Sequence, residues 1–199
     1  MSRHILIVGA AIAALSLGAC SKKADETKGA ATPAEQAATP DAHPANTVPS
    51  PANEAKATDF VPAAAASDMF EVQAGKLAQK TSKNPEVKKF AAEMIKAHTQ
   101  STADLKAALA SSGQSITPPA ALPSDLQGKL DDLAKADPKD FDSKYADDMV
   151  GAHQDTLNVM QRYAQDGDVP AIKDFAAKTA PVVEQHLQMA KGLKDGMKK

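Results

Sequence analysis

The stretch Pro85–Ala92 reads PEVKKFAA and Pro170–Ala177 reads PAIKDFAA, so the chain carries nearly the same phrase twice. In each copy an aliphatic residue follows the proline by two positions and a phenylalanine follows it by five. Proline suits the first turn of a helix because the amide there has no partner to lose. Each phrase therefore predicts the start of a helix, and the buried face begins at the same positions relative to the proline in both helices. Two similar helix hairpins are what a four-helix bundle needs, although short Ala-rich helices also converge by coincidence.

The remainder of the chain after Thr58 also has helical periodicity. Ala, Lys, Leu, Met and Gln dominate it, and alternating β-branched runs are missing. Asn84 is an expected N-cap, and Ser124 with Gln127 spells a capping box. The predicted helices cover about Asp59 to Thr81, Pro85 to about Ser112, Ser124 to Ala136, Pro138 to about Asp166, and Pro170 onward, with a loop at Gly113–Pro123.

Residues 1–20 are predicted to be a lipoprotein signal peptide. Ile5–Leu17 is an apolar run that is too short for a comfortable membrane span, and it leads into Leu17-Gly18-Ala19-Cys20. This ending resembles the lipobox of bacterial lipoproteins, in which the cysteine is acylated and becomes the first mature residue. We therefore predict lipidation at Cys20, with an ordinary secretory signal and a chance cysteine as the alternative.

Residues 21–57 are predicted to be a disordered tether. They contain no Leu, Ile, Met or aromatic residue and are rich in Ala and Pro, so they cannot bury a core. Ser21 stands where an aspartate would resemble an inner-membrane retention signal, which favours the outer membrane. We expect a lipid anchor in the outer membrane of the cell envelope, with residues 58–199 forming one helical domain that faces the periplasm.

The composition argues against several classes of function. The formal net charge is −2 and no basic patch with interleaved aromatic residues occurs, so nucleic acid is not an expected partner. Cys20 is the only cysteine, so its lipidation would leave the domain without thiol chemistry. We find neither a glycine-rich phosphate loop nor a nucleophile with a readable partner, so a non-catalytic role is expected. Protein partners and oligomeric state stay open.

The three histidines of the domain all fall on predicted core faces. Steps of three and four residues place His98, His153 and His186 on the apolar stripes of three different helices. Three randomly placed histidines would all do so about one time in twelve, if a core face covers about three sevenths of a helix. The first helix has no histidine, but Glu71 borders its face of small residues, where a carboxylate would be partly buried.

These residues make a candidate metal site with one ligand from each long helix, namely Glu71, His98, His153 and His186. Three imidazoles and a carboxylate suit zinc, and they suit copper, nickel or iron with less discrimination. Methionines also flank the histidines at helical spacing, namely Met94, Met149 and Met189. As thioether ligands they would point towards copper(I), whereas as ordinary core residues they would fill gaps.

A carboxylate-rich di-iron centre of the ferritin kind is not expected. Such centres use Glu-x-x-His pairs on two helices. Here Glu93 precedes His98 by five residues and Glu184 precedes His186 by two, which separates the side chains by about 140° and 160° around the helix. His186 also lies out of level with the other histidines by about 6 Å. Pro181 is expected to kink its helix and correct part of this offset.

Three functions stay open on the residues alone. A metal-binding bundle predicts that the histidines converge near Glu71 around a shared cavity. A non-catalytic envelope interaction or stress-response protein predicts separated histidines, each with its own hydrogen-bond partner, and an exposed apolar patch. A binder of apolar ligands predicts a large dry cavity.

The domain resembles the bacterial family called domain of unknown function 4142, whose members are often described as predicted outer-membrane proteins and grouped with ferritin-like bundles. The resemblance covers Asp59 to about Leu193. It implies a ferritin-like four-helix bundle, with an extra short helix in the crossover between the second and third long helices, and it includes Glu71 and the three histidines. It implies no established function. The motifs that carry it are Phe60-Val61, Met69-x-Glu71, Gly75-Lys76-Leu77-Ala78, Asn84-Pro85-x-Val87-x-x-Phe90-Ala91, Met94-x-x-x-His98, Phe141-Asp142-x-x-Tyr145, His153-Gln154 and Phe175-Ala176 through Pro181 to His186-Leu187.

Overall fold

The computed structural model describes residues 55–197, and the regular structure within this range is entirely helical. This confirms the all-α fold class. The predicted signal peptide, Cys20 and nearly all of the predicted tether lie outside the described residues. The helices are α1 (Ala57–Thr81), α2 (Pro85–Ser112), α3 (Ser124–Ala134), α4 (Phe141–Asp166) and α5 (Pro170–Gly196).

The four long helices form the predicted bundle. Helix α1 packs against α2 and α4, and α5 packs against the same two neighbours. Short connections make α1–α2 and α4–α5 antiparallel hairpins. The starts of α2 and α4 share one apolar cluster, so these helices run parallel and the connection through α3 travels the length of the bundle. The four-helix bundle with a short helix in its crossover is therefore confirmed.

The apolar core divides into two clusters at opposite ends of the bundle. The first, called here the α1-start cluster, is built around Phe60, which stacks on Tyr163 with ring centroids 4.1 Å apart. The second, called here the α3 cluster, contains Phe90 and Tyr145 and is capped by Leu133 of the crossover helix. All five side chains are at most 5% exposed. The middle of the bundle, between these clusters, is where the polar side chains gather.

Local capping explains two of the helix starts. The Asn84 side chain accepts a hydrogen bond from the Glu86 amide at 2.9 Å, as expected for the N-cap of α2. Helix α1 begins at Ala57, two residues before the predicted start, because its amide donates to Asp168 Oδ1 at 2.9 Å. Asp168 also accepts from the Tyr163 hydroxyl, so the α4–α5 connection holds the start of α1 in place.

One predicted helix start and one predicted cap are wrong, although α3 begins at Ser124 as predicted. Helix α4 begins at Phe141 rather than Pro138, because Asp137 folds the chain into a turn first by accepting from the Lys139 amide through its side chain. The capping box at Ser124 is not formed. Pro123 is the N-cap of α3 and its carbonyl accepts from the Gln127 amide, while the Gln127 side chain bonds Asp131 instead.

Candidate metal centre

Three buried imidazoles meet in the middle of the bundle. His98, His153 and His186 are 4%, 1% and 5% exposed, and their ring centroids lie 5.5 to 5.7 Å apart. One ring nitrogen of each lies within 4.8 Å of the other two. Nitrogen ligands of one tetrahedral zinc ion stand about 3.4 Å apart. The three imidazoles, called here the histidine trio, therefore need to close by at most about 1.4 Å to hold an ion.

The trio comes from α2, α4 and α5, and each residue continues the apolar stripe of its helix. The offset predicted for His186 does not separate it from the other two rings. Helix α5 runs unbroken through Pro181, so the proline is accommodated within the helix. The apolar residues before and after each histidine pack in the two end clusters. This packing fixes the position of all three rings along the bundle axis.

Glu71 is buried beside the trio rather than within it. Its side chain is 1% exposed and its Oε1 atom lies 3.5 Å from Nδ1 of His153. It is not part of the group of donor atoms that lie within 4.8 Å of one another. Burial raises the pKa of Glu71 to about 7, although the nearby His98 works against this shift. Glu71 is thus a buried carboxyl that titrates near neutral pH, and it lies next to three imidazoles.

Asp68 is the site residue that sequence reasoning missed. Nδ1 of His98 lies 2.8 Å from Asp68 Oδ1, and both side chains are at most 5% exposed. The hydroxyl of Thr102 donates to the other carboxylate oxygen at 3.2 Å. The signal was present, because Asp68 stands three residues before Glu71 and such residues share a helix face. Two carboxylates on one face of an Ala-rich helix indicate a polar layer within the bundle.

Hydrogen bonds leave lone pairs of the trio facing one another. The Nδ1 hydrogen of His98 is directed at Asp68, and Nδ1 of His153 donates to the Met149 carbonyl at 2.8 Å. In the neutral form of either ring, Nε2 is therefore unprotonated. A carboxylate or a carbonyl behind the imidazole is the arrangement usual for histidines that bind metal ions, because it fixes the tautomer and orients the ring.

The electrostatics of the three rings differ. Burial, aided by the charge on His98, lowers the pKa of His153 to about 3 and that of His186 to about 4. Burial acts on His98 in the same direction, but the bond to Asp68 and the attraction of Glu71 outweigh it and raise the pKa of His98 above 6.5. At neutral pH His153 and His186 are therefore neutral, whereas the neighbours of His98 favour its protonated form.

Five buried donor atoms of this layer have no hydrogen-bond partner. They are both carboxylate oxygens of Glu71, Nε2 of His98, Nε2 of His153 and Nδ1 of His186. Leaving one such atom buried and unsatisfied costs about 1–3 kcal/mol. A cluster of five in one layer is costly unless something binds it, because elsewhere nearly all buried polar atoms find partners.

Tyr145 is a second polar group that the sequence reasoning left out. Its ring is fully buried and its hydroxyl has no hydrogen-bond partner. Burial, together with the charge of Glu71, raises the pKa of this phenol. It stands four residues before Met149 on the predicted stripe of α4, which is the pattern that could have identified it.

The flanking methionines belong to the apolar core or to a surface groove, and the two extra glutamates are exposed. Met94 and Met149 pack in the α3 cluster, and Met189 lines a surface groove. Glu93 and Glu184 are exposed, as their angular separation from the histidines predicts. The chemistry of the trio is therefore imidazole chemistry with carboxylates close by.

The two competing functions find less support in the geometry. The histidines are not separated, and three of their ring nitrogens lack partners. Within residues 55–197 the only large hydrophobic side chain that is exposed is Val182. The larger cavity, of about 340 Å³, is a surface groove between the start of α2 and the end of α5 with Glu86, Lys89 and Glu93 in its lining, so it is not a dry pocket.

Comparison with known proteins places the chain in a family. The sequence profile described as "Domain of unknown function (DUF4142)" matches residues 42–193. This chain belongs to the DUF4142 family. The match confirms the resemblance seen in the sequence and extends to residues before α1. The family description attaches no activity to this DUF4142 chain, and no curated protein matches it.

One solved structure supports the fold of this DUF4142 chain. It is similar to the "Crystal structure of DUF305 fragment from Deinococcus radiodurans", with a TM-score of 0.60 and 12% identity over 69% of this chain and 94% of that chain. At this identity the likeness concerns the fold alone. Among the helices of residues 55–197, none is both long and apolar enough to cross a membrane.

Proposed function

We propose that this chain is a metal-binding helical bundle in which the histidine trio holds one divalent transition-metal ion. The observation that carries the proposal is the set of five buried donor atoms without partners in one layer. A bound cation would satisfy the trio's free nitrogens together and would balance the charge of Glu71 and Asp68. No other single group of that size does both.

The set of donor atoms limits which metal ions the site would bind. Three imidazole nitrogens with a carboxylate nearby suit zinc, and they suit copper(II) as well, which binds most N/O sites more tightly than other first-row divalent ions. A copper(I) site would favour sulfur donors. Because Met94 and Met149 pack among the apolar side chains of the α3 cluster, we propose zinc or copper(II) as the resident ion, with Asp68 orienting His98 from behind.

Metal titration of the full chain, purified without a histidine tag, tests the proposal. We expect one zinc or copper(II) ion per chain and a rise in thermal stability, since ligand at about 100 times its Kd adds about 2.7 kcal/mol. The variant with His98, His153 and His186 all changed to alanine should show neither effect. It keeps His43, so it controls for binding outside the bundle. Equal binding by both proteins would overturn the proposal.

Glu71→Gln and Glu184→Gln make a matched pair for the carboxylate. Glu71 is buried beside the trio, whereas Glu184 is exposed two residues before His186. We expect the Glu71 variant to bind the ion more weakly and the Glu184 variant to match the wild type. If the two variants bind the ion with equal affinity, Glu71 is not part of the site, and the trio alone remains the proposed binding group.

We further propose that the bundle is anchored to the outer membrane through a lipid on Cys20 and faces the periplasm through the tether at 21–57. The lipobox-like ending at Leu17–Cys20 and the absence of Leu, Ile, Met and aromatic residues from the tether support this. Labelled palmitate should enter the wild-type chain and not the Cys20→Ser variant, which should move to the soluble periplasmic fraction. A Cys20→Ser chain that stays with the membrane would contradict the anchor.

A further inference from the structure

A small cavity adjoins the trio on one side. It measures about 20 Å³ and is bordered by His98 and His186, but neither His153 nor Glu71 lines it. It is lined from all four long helices, by Asp68 of α1, His98 and Ser101 of α2, Thr156 of α4 and His186 of α5. A cavity of this size holds one water molecule, for which about 10–15 Å³ is needed.

The lining of this cavity is polar where it approaches the rings. Besides the two histidines, it includes the carboxylate of Asp68 and the hydroxyl side chains of Ser101, Thr156 and Thr179. The Ser101 hydroxyl is buried without a hydrogen-bond partner. Nε2 of His98 and Nδ1 of His186 are likewise unpartnered, and both side chains are at least nine-tenths buried. Ala97, Met160, Val182 and Val183 complete the lining, so these polar groups are the ones that a small polar ligand would contact.

The cavity also reaches the surface. Val182 belongs to its lining and is 44% exposed, in a region whose other large apolar side chains are covered. Solvent therefore reaches the cavity beside Val182 of α5.

We propose that the ion held by the trio keeps a fourth coordination position open towards this cavity, where it takes a water molecule, hydroxide or a small anion. This inference rests on the proposed metal site and goes beyond it, because it makes the site reactive rather than structural. Structural zinc sites are closed by four protein ligands, whereas three protein ligands and an exchangeable water are typical of reactive ones. Three imidazoles with Glu71 outside their group match the second type.

Azide binding to the copper(II)-loaded full chain tests the open position. Azide on copper(II) gives a new visible charge-transfer absorption, and we expect it to saturate at one azide per ion. Ser101→Leu fills the cavity from α2, whereas Ser101→Ala leaves it open and removes only the hydroxyl. We expect the leucine variant to bind azide at least about tenfold more weakly than the alanine variant, because overfilling a packed site is unfavourable.

The outcomes separate this inference from the metal site itself. Copper(II) binding without any azide response, or with equal azide affinity in the leucine and alanine variants, would overturn the open position and leave the metal site standing. Failure of the wild-type chain to bind copper(II) would instead overturn the proposed function. If Ser101→Leu fails to bind copper(II), Thr179→Leu fills the same cavity from α5, and weaker azide binding by that variant is the expected result.

Discussion

The α1-start cluster of this bundle and its middle layer are built on opposite principles. At the α1-start cluster, Phe60 stacks on Tyr163, and the phenol oxygen of Tyr163 is hydrogen-bonded to Asp168. Apolar surface is buried there and the polar atom is satisfied. In the middle layer, equally buried imidazoles and Glu71 face one another with their donor atoms unpartnered. The comparison teaches that the α1-start cluster stabilises the fold, whereas the middle layer buries unpartnered polar atoms at some cost in stability.

Phe60→Ala should have the largest effect on the free energy of unfolding of the metal-free protein. Removing a buried aromatic ring leaves a cavity and costs about 3–5 kcal/mol. Urea unfolding followed by helical circular dichroism measures the loss. Val182→Ala, at an exposed position, is the control and should change stability by less than about 0.5 kcal/mol. Similar effects of the two changes would break the assignment of stability to the α1-start cluster.

Glu71→Gln should alter how stability depends on pH. The pKa of Glu71 rises from 4.5 to about 7 on folding, so its stabilising contribution is present below pH 4.5 and is lost as pH rises to 7. That loss amounts to about 3 kcal/mol. Glutamine does not titrate, so the variant does not undergo this pH-dependent loss. In the presence of a chelator, its free energy of unfolding relative to the wild type should therefore increase between pH 4.5 and 7.

Glu184→Gln serves as the control for that experiment, because this carboxyl is exposed. Its pH profile should follow the wild type. A Glu71→Gln profile parallel to the wild type would mean that Glu71 titrates normally, and the middle layer would then be less strained than the comparison requires.

Asp68→Asn should weaken metal binding by about 10–100-fold, since removing a partner behind a ligating histidine typically has this effect. The asparagine keeps the size of the side chain but offers His98 a weaker, uncharged acceptor. Competition titration with a chromophoric chelator measures the change. Asp155→Asn, at an exposed position two residues after His153, should bind like the wild type. Unchanged affinity in both variants would assign Asp68 to structure alone.

His186→Leu should have the smallest effect on the metal-free protein, although it abolishes tight metal binding. Replacing an unpartnered buried polar group by an apolar one of similar size is nearly neutral or stabilising. We expect a change within about 1 kcal/mol by urea unfolding, whereas Leu187→Ala at the next position should cost about 2–5 kcal/mol. A large loss in His186→Leu would show that the imidazole is a structural element of the core.

The helices and their buried faces could be predicted because period and end signals are local. The stripes that carry His98, His153 and His186 are buried as expected, and Asn84 caps α2. The start of α4 could not be predicted from Pro138, because the side chain of Asp137 competes for the same backbone amides and forms a turn.

The site could be predicted only in part, because helical period gives the direction of a side chain but not its distance from residues on other helices. It brought the three histidines and Glu71 to one layer, yet it could not place Glu71 outside the trio or find the bond between Asp68 and His98. Both features depend on how four helices pack against one another.

X-ray absorption spectroscopy of the zinc- or copper(II)-loaded full chain tests the central claim most directly. Three imidazole nitrogens at about 2.0–2.1 Å, with one further light atom, are the predicted first shell. In the His98→Ala variant the imidazole count should fall to two. A first shell with sulfur at about 2.3 Å, or with fewer than three imidazoles in the wild type, would contradict the claim that the trio binds the ion.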